Sequence, residues 1–181
     1  MKTQSRHDEM MSLAARALQH FEHQTTDLAP DIMSQPIAAY IDLARYQAER
    51  EGIFKQLPLA LALTLELPSP GDYKAMTVLE TPIIIARNQT GEVKCFLNAC
   101  RHRGSRLCDD GCGAARVFSC PYHAWTYDVE GALIGRYGAE TFGEVDPADF
   151  HLTELPCAER CGLIWVTLTP SQAMDIDAWL G

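Results

Sequence analysis

The chain has 181 residues, 47% of them apolar, and a formal net charge of −9. That length suits one compact domain with an extension, and the acidic balance argues against a nucleic-acid binder, which needs clustered Lys and Arg. The most apolar stretch, Leu57 to Leu65, is broken by Pro58 and Thr64 and closed by Glu66, far short of the roughly 18–20 residues that span a bilayer.

Residues 1–10 mix charges of both signs and hold no apolar signal core, so a cytoplasmic protein without a membrane partner is expected. Met10, Leu13, Ala14, Ala17, Leu18 and Phe21 recur at helical spacing and predict an amphipathic helix over residues 8–22. The stretch from Thr25 to Pro30 breaks it. A second helical pattern runs from about Pro36 to Lys55, with Pro36 suited to a first-turn position behind Ser34. His20 and His23 lie three apart but have no third ligand at a matching interval, so residues 1–57 read as a helical extension for packing or assembly.

From Leu59 the pattern changes to short β-type runs: Leu59–Leu67, Ala75–Glu80, Ile83–Arg87, Val93–Asn98, Val117–Ser119, Trp125–Val129 and Leu163–Leu168. Turn-forming segments separate them, among them Pro68-Ser69-Pro70-Gly71, Asn88-Gln89-Thr90-Gly91 and Asp128-Val129-Glu130-Gly131. This predicts an antiparallel, hairpin-rich domain over residues 58–170. Residues 171–181 form a tail that begins a short helix.

Two motifs carry chemistry. Cys100-Arg101-His102 and Cys120-Pro121-Tyr122-His123 are separated by 17 residues. Each pair offers one thiolate and one imidazole. An asymmetric 2Fe–2S cluster needs that supply, because one iron takes both sulfurs and the other both nitrogens. A zinc module built from Cys100, His102, Cys108 and Cys112 is the plainer alternative, and a zinc protein would be colourless. The other five cysteines, Cys95, Cys108, Cys112, Cys157 and Cys161, read as buried or loop thiols, although Cys108/Cys112 and Cys157/Cys161 each have the spacing of half a zinc site.

Cys100-Arg101-His102-Arg103-Gly104 followed by Cys120-Pro121-Tyr122-His123-Ala124-Trp125-Thr126-Tyr127 resembles the Rieske motif of ring-hydroxylating oxygenase large subunits, over roughly residues 40–170. The resemblance implies the N-terminal, Rieske half of a non-haem iron oxygenase alpha subunit: a mainly β, antiparallel sandwich-like Rieske 2Fe–2S domain preceded by N-terminal helices. It implies Cys100, His102, Cys120 and His123 as cluster ligands, with Arg103, Gly104, Ser105, Tyr122, Trp125 and Tyr127 around them. Charge explains why such a cluster relays electrons. Two ferric ions, two sulfides and two thiolates are neutral together, so the potential lies at roughly −150 to +300 mV, against about −400 mV for plant-type four-cysteine clusters.

The high-potential Rieske class carries a loop-bridging disulfide where this chain has Ser105 and Tyr122, and a sulfide-bonding serine where it has Trp125. Tyr127 matches that class's tyrosine donor to a cluster cysteine. Fewer donors to sulfur place the expected potential near the low end of the range. Arg101, Arg103 and Arg106 read either as a docking collar for an acidic redox partner or as ordinary solvated arginines. The resemblance further implies a flavin-dependent reductase or a ferredoxin as electron donor. The implied acceptor is a mononuclear iron in a catalytic domain absent from these residues, and the complete subunit is implied to form a ring-shaped homo-oligomer. His7, His20, His23 and His151 are not spaced as that second iron's His-His-carboxylate triad. The chain is therefore expected to be part of an oxidoreductase, to contain no catalytic residues of its own, and to cycle one electron without oxygenating substrate alone. A stand-alone Rieske-type ferredoxin is the alternative.

Overall fold

The computed structural model describes residues 2–181. They divide into two compact units, up to Ile41 and from Asp42 onward. In the first unit, helix α1 spans Lys2–His23, longer than the expected 8–22. It ends where Gln24 turns left-handed and Thr25 N–H donates to the His20 carbonyl. The two helix histidines do not share a ligand position. His20 Nε2 lies 2.9 Å from Asp27 Oδ1, and His23 Nδ1 lies 2.8 Å from the Gln19 carbonyl. Helix α2 is a single turn, Ala38–Ile41.

The second unit opens with α3, Leu43–Glu49, continuing as a π-turn over Arg50–Phe54. One helix over 36–55 was expected. It is interrupted at Asp42, whose carboxylate accepts from the Ala44 and Arg45 N–H groups and so starts a new helix. Strands follow: β1 Leu59–Leu63, β2 Asp72–Val78, β3 Thr81–Arg87, β4 Val93–Leu97, β5 Gly111–Ala114, β6 Val117–Ser119, β7 Thr126–Asp128, β8 Leu133–Gly135, β9 Glu154–Leu155, β10 Cys157–Arg160 and β11 Leu163–Val166. Helix α4, Ile176–Leu180, closes the chain, capped by Asp175. No helix among the described residues is long and apolar enough to cross a membrane.

The strands form three sheets, ordered β1-β11-β10, β5-β2-β3-β4-β9 and β6-β7-β8, with every pairing antiparallel. Strand β3 is central. Its alternating side chains feed two separate cores, as the two-residue period of a strand requires. Ile83 and Ile85 join Cys95, Leu155, Ile164 and Val166 against the β1-β11-β10 sheet. Ile84 and Ala86 join Phe96, Phe118, Trp125 and Tyr127 against the β6-β7-β8 sheet. Each of these isoleucines is fully buried, a contribution of about 1.5–3 kcal/mol apiece. The central five-stranded sheet is thus covered on both faces, and only the second face leads to the Cys/His motifs.

Sequence patterning located the long strands and the short β6 and β7, and missed β5, β8, β9 and β10. Strand β5 is Gly-Cys-Gly-Ala, with no β-forming composition, and it exists because β2 offers a free edge from Asp72 to Ala75. The expected strand over 59–67 stops at Leu63. There Glu66 accepts from the Leu63 N–H and a 3-10 turn begins. Asn88, which fits a glycosylation acceptor pattern, is buried. Its side chain closes the β3–β4 turn by accepting from the Thr90 and Glu92 N–H groups.

Candidate metal centre

Two loops project from the β4 and β6 ends with the same backbone plan. Cys100 N–H donates to the Ser105 carbonyl and Gly104 N–H to the Cys100 carbonyl, both at 2.8 Å. In the second loop Cys120 N–H donates to the Trp125 carbonyl at 2.8 Å and Ala124 N–H to the Cys120 carbonyl at 3.0 Å. The residue four after each cysteine is left-handed, Gly104 at φ 72° and Ala124 at φ 53°. A glycine takes that conformation freely, whereas an alanine pays a steric cost.

These turns bring the four candidate ligands together. Cys100 and Cys120 are 3% and 5% exposed, and their thiols lie close enough to perturb one another. His102 and His123 are half-buried, with ring centroids 4.8 Å apart. Burial, then the electrostatic influence of the neighbouring His123 and Arg103, holds His102 below the usual imidazole range, which favours the neutral ring that metal binding uses. Burial raises the Cys100 thiol, partly offset by the Tyr127 hydroxyl. Burial acts on Cys120 too, but N–H groups of Tyr122 and His123, with the Cys100 thiol and the Ser105 hydroxyl, outweigh it and lower that thiol.

The donor set fits a two-iron cluster. Buried sulfurs lie on the inner side, half-buried imidazoles on the outer, and the buried Nδ1 of His123 has no hydrogen-bond partner. Such an orphaned nitrogen costs about 1–3 kcal/mol unless something occupies it. The zinc alternative finds no support in geometry. Among the described residues no three His, Cys, Asp or Glu side chains converge on one ion position. Cys108 instead sits against Asn98 Nδ2 at 3.9 Å, and Cys112 is exposed on β5. Burial pushes the Cys95 thiol well up and the Cys157 thiol up to about 12, which keeps both protonated, Cys95 in the core and Cys157 half-buried against it.

The surrounding residues expected from the motif divide by what they touch. The Tyr127 hydroxyl, fully buried, lies 3.4 Å from Cys100 Sγ and accepts from Arg101 N–H at 3.0 Å. Trp125, 2% exposed, stacks on His102 with centroids 5.0 Å apart and planes 11° apart. Tyr122 leans on His123 at 3.9 Å and is largely exposed. Arg106 differs from the other two arginines of the expected collar: it bonds Asp110 at 3.2 Å and Thr77 at 2.8 Å. Arg101 and Arg103 stay exposed.

Three residues at the site carried no sequence signal. Asn98, fully buried, ties down the far end of the first loop by accepting from Leu107 N–H at 2.9 Å and donating to the Cys108 carbonyl at 2.8 Å. Phe142 meets His102 edge-on at 5.1 Å, and Phe150 meets Trp125 at 5.4 Å. Both phenylalanines end short 3-10 turns, Ala139–Thr141 and Pro147–Phe150, too short to show a periodicity, so only the fold reveals them.

Comparison with known proteins bears on the fold and the family. Residues 58–142 match the Rieske [2Fe-2S] domain. The chlorobenzene dioxygenase alpha subunit of Cupriavidus sp. (strain PS12) is 36% identical over 143 residues, 78% of this chain and 32% of that protein. The glycine betaine monooxygenase oxygenase subunit of Pseudomonas aeruginosa (strain UCBPP-PA14) is 32% identical, over 75% of this chain and 31% of that protein. The crystal structure of naphthalene 1,2-dioxygenase from Rhodococcus sp. superposes with a TM-score of 0.74 at 35% identity, covering 81% of this chain and 34% of the other. The chain thus spans about a third of the length of these relatives. It carries a Rieske [2Fe-2S] domain, and the proteins it is similar to include dioxygenase alpha subunits and Rieske monooxygenases.

Proposed function

We propose that Cys100, His102, Cys120 and His123 hold the Rieske cluster, and that the chain relays single electrons from a flavin-dependent reductase or a ferredoxin to a mononuclear iron outside residues 1–181. The observation that carries this reading is the convergence of two buried thiols and two half-buried imidazoles on twin loops at one end of the sheets. When bound, a cluster of this kind supplies one reversible single-electron couple. The residues of the chain do the rest. Cys100 and Cys120 keep their sulfurs out of water, the Tyr127 hydroxyl steadies one sulfur, and the two imidazoles face outward where a partner can approach. Exposed Arg101 and Arg103 offer positive charge to an acidic donor, whereas Arg106 is engaged with Asp110 and Thr77. The relay serves a larger, cytoplasmic oxygenase subunit that assembles as a ring-shaped homo-oligomer. In it, residues 58–170 are the cluster domain, residues 1–57 a helical extension, and residues 171–181 lead toward the catalytic domain.

EPR of the dithionite-reduced protein, with iron and sulfide analysis, tests the ligation. A rhombic Rieske-type signal, lost in His102→Ala and His123→Ala, supports it, and a four-cysteine-type signal overturns it. A redox titration should place the midpoint in the lower part of the Rieske range, and a value well above about 0 mV contradicts that placement. The chain should accept electrons without hydroxylating substrate by itself, so turnover by the isolated chain with a reductase would refute the relay reading. Reversing both free charges, Arg101→Glu with Arg103→Glu, should slow reduction by an acidic donor and weaken its salt dependence.

A further inference from the structure

The two imidazoles of the centre are held in different ways. His123 leans on Tyr122, its immediate neighbour on the same loop, and Tyr122 is 61% exposed. Beside them opens a cavity of about 660 Å³, lined in part by Tyr122, His123, Tyr137 and Phe142. His102, by contrast, lies face to face with a side chain of the other loop. The Trp125 ring stacks on it at 5.0 Å and 11°, and Phe142 closes its edge at 5.1 Å. Trp125 is itself fixed edge-on by Phe142 at 5.6 Å and Phe150 at 5.4 Å. Its carbonyl accepts from Cys120 N–H, so one residue closes the second loop with its backbone and covers the first loop's imidazole with its ring.

The chemistry of that side chain points beyond core filling. The Trp125 Nε1–H is buried and finds no acceptor among the described residues. A buried N–H without a partner costs about 1–3 kcal/mol, so packing alone would favour a phenylalanine here. The face of a large aromatic ring resists tilting of a parallel neighbour, because offset-stacked pairs lose contact when either ring rotates.

We propose that Trp125 is a positioning residue whose stack across the two loops fixes the ring plane of His102, leaving His123 the more mobile of the two imidazoles. The proposal rests on the ligand assignment above, and its failure is distinguishable from failure of that assignment. Pulsed EPR of the reduced full chain, carrying 15N-labelled histidine, reads the coupling of each imidazole nitrogen. One narrow coupling, from a ring held in one orientation, and one broad coupling are expected. Trp125→Phe should keep the narrow coupling, since a flat ring remains. Trp125→Met should broaden it to match the other, at unchanged iron and sulfide content. Two equally broad couplings in the wild type would overturn the proposal, as would a narrow coupling that survives in Trp125→Met. Equal broadening in both variants also overturns it, because the effect would then belong to the Nε1–H and not to the stack. If Trp125→Met does not assemble a cluster, the wild-type couplings decide the matter alone. A reduced signal with no histidine nitrogen coupling defeats the ligand assignment itself, and the brace with it.

Discussion

The loops Cys100–Ser105 and Cys120–Trp125 share one backbone plan and are supported by opposite means. The second is a hairpin tip. Its flanks are paired strands, Phe118 facing Tyr127 and Ser119 facing Thr126, and the Ser119 and Thr126 hydroxyls meet at 3.0 Å. The first has a strand on one side only, and an irregular stretch of residues 106–110 on the other. Side chains from elsewhere replace the missing strand: Asn98 holds Leu107 and Cys108, and Tyr127 reaches from β7 to Arg101 and Cys100. Similar turns can therefore be held by a local ladder or by long-range polar contacts, and the two should fail differently.

Ligand removal should erase the difference between the loops. Cys100→Ser and Cys120→Ser should each abolish cluster content, read as loss of visible absorption and of the reduced EPR signal, because in the proposed ligation both sulfurs bind the same iron. Retention of a full Rieske-type signal in either variant would break the equivalence. Asn98→Ala should expose the asymmetry next. It strips partners from the Leu107 N–H and the Cys108 carbonyl, at about 2–4 kcal/mol in denaturant unfolding, whereas Ser119→Ala beside the second loop should cost less than about 1 kcal/mol because its hydroxyl is exposed.

Smaller effects sharpen the same contrast. Tyr127→Phe removes the hydroxyl shared by Cys100 Sγ and Arg101 N–H, and should destabilise by about 1–2 kcal/mol. It should also lower the midpoint potential, since a donor to sulfur favours the more negative, reduced state. An unchanged midpoint would mean that this hydroxyl serves the loop alone. The smallest test swaps the left-handed residues. A Cβ at Gly104 would meet nothing within 4 Å, so Gly104→Ala should cost about 1 kcal/mol from backbone conformation alone. Ala124→Gly should instead stabilise by about 0.5 kcal/mol, net of the entropy that glycine loses on folding. Thermal unfolding would resolve shifts of opposite sign, and equal signs would refute the shared plan.

The contrast also explains which parts were legible in the sequence. The second loop announces itself, because Val117–Ser119 and Trp125–Val129 read as strands flanking a Cys-Pro-Tyr-His turn. The β3 and β4 runs were equally plain, being rich in branched and aromatic residues at strand length, whereas the run read over Ala75–Glu80 starts at Asp72 and ends at Val78 before a left-handed turn at Leu79 and Glu80. Strands β5, β8, β9 and β10 were not, since two to four residues of ordinary composition become strands only beside a waiting edge. Asn98 and Phe142 lacked a signal for a related reason. Their roles depend on neighbours 9 to 40 residues away in the chain, which local patterning does not see.

By itself the sequence pointed to a Rieske-type centre, because mixed Cys/His pairs at this spacing offer two sulfurs to one iron and two nitrogens to the other. Tertiary structure decided how those ligands are held. It engaged Arg106 with Asp110, placed the Tyr127 hydroxyl against Cys100, and laid Trp125 of one loop over His102 of the other. Ligand type is a property of the residue and can be read in one dimension. The orientation of an imidazole is set by the faces packed against it, and those faces meet only once the sheets have closed.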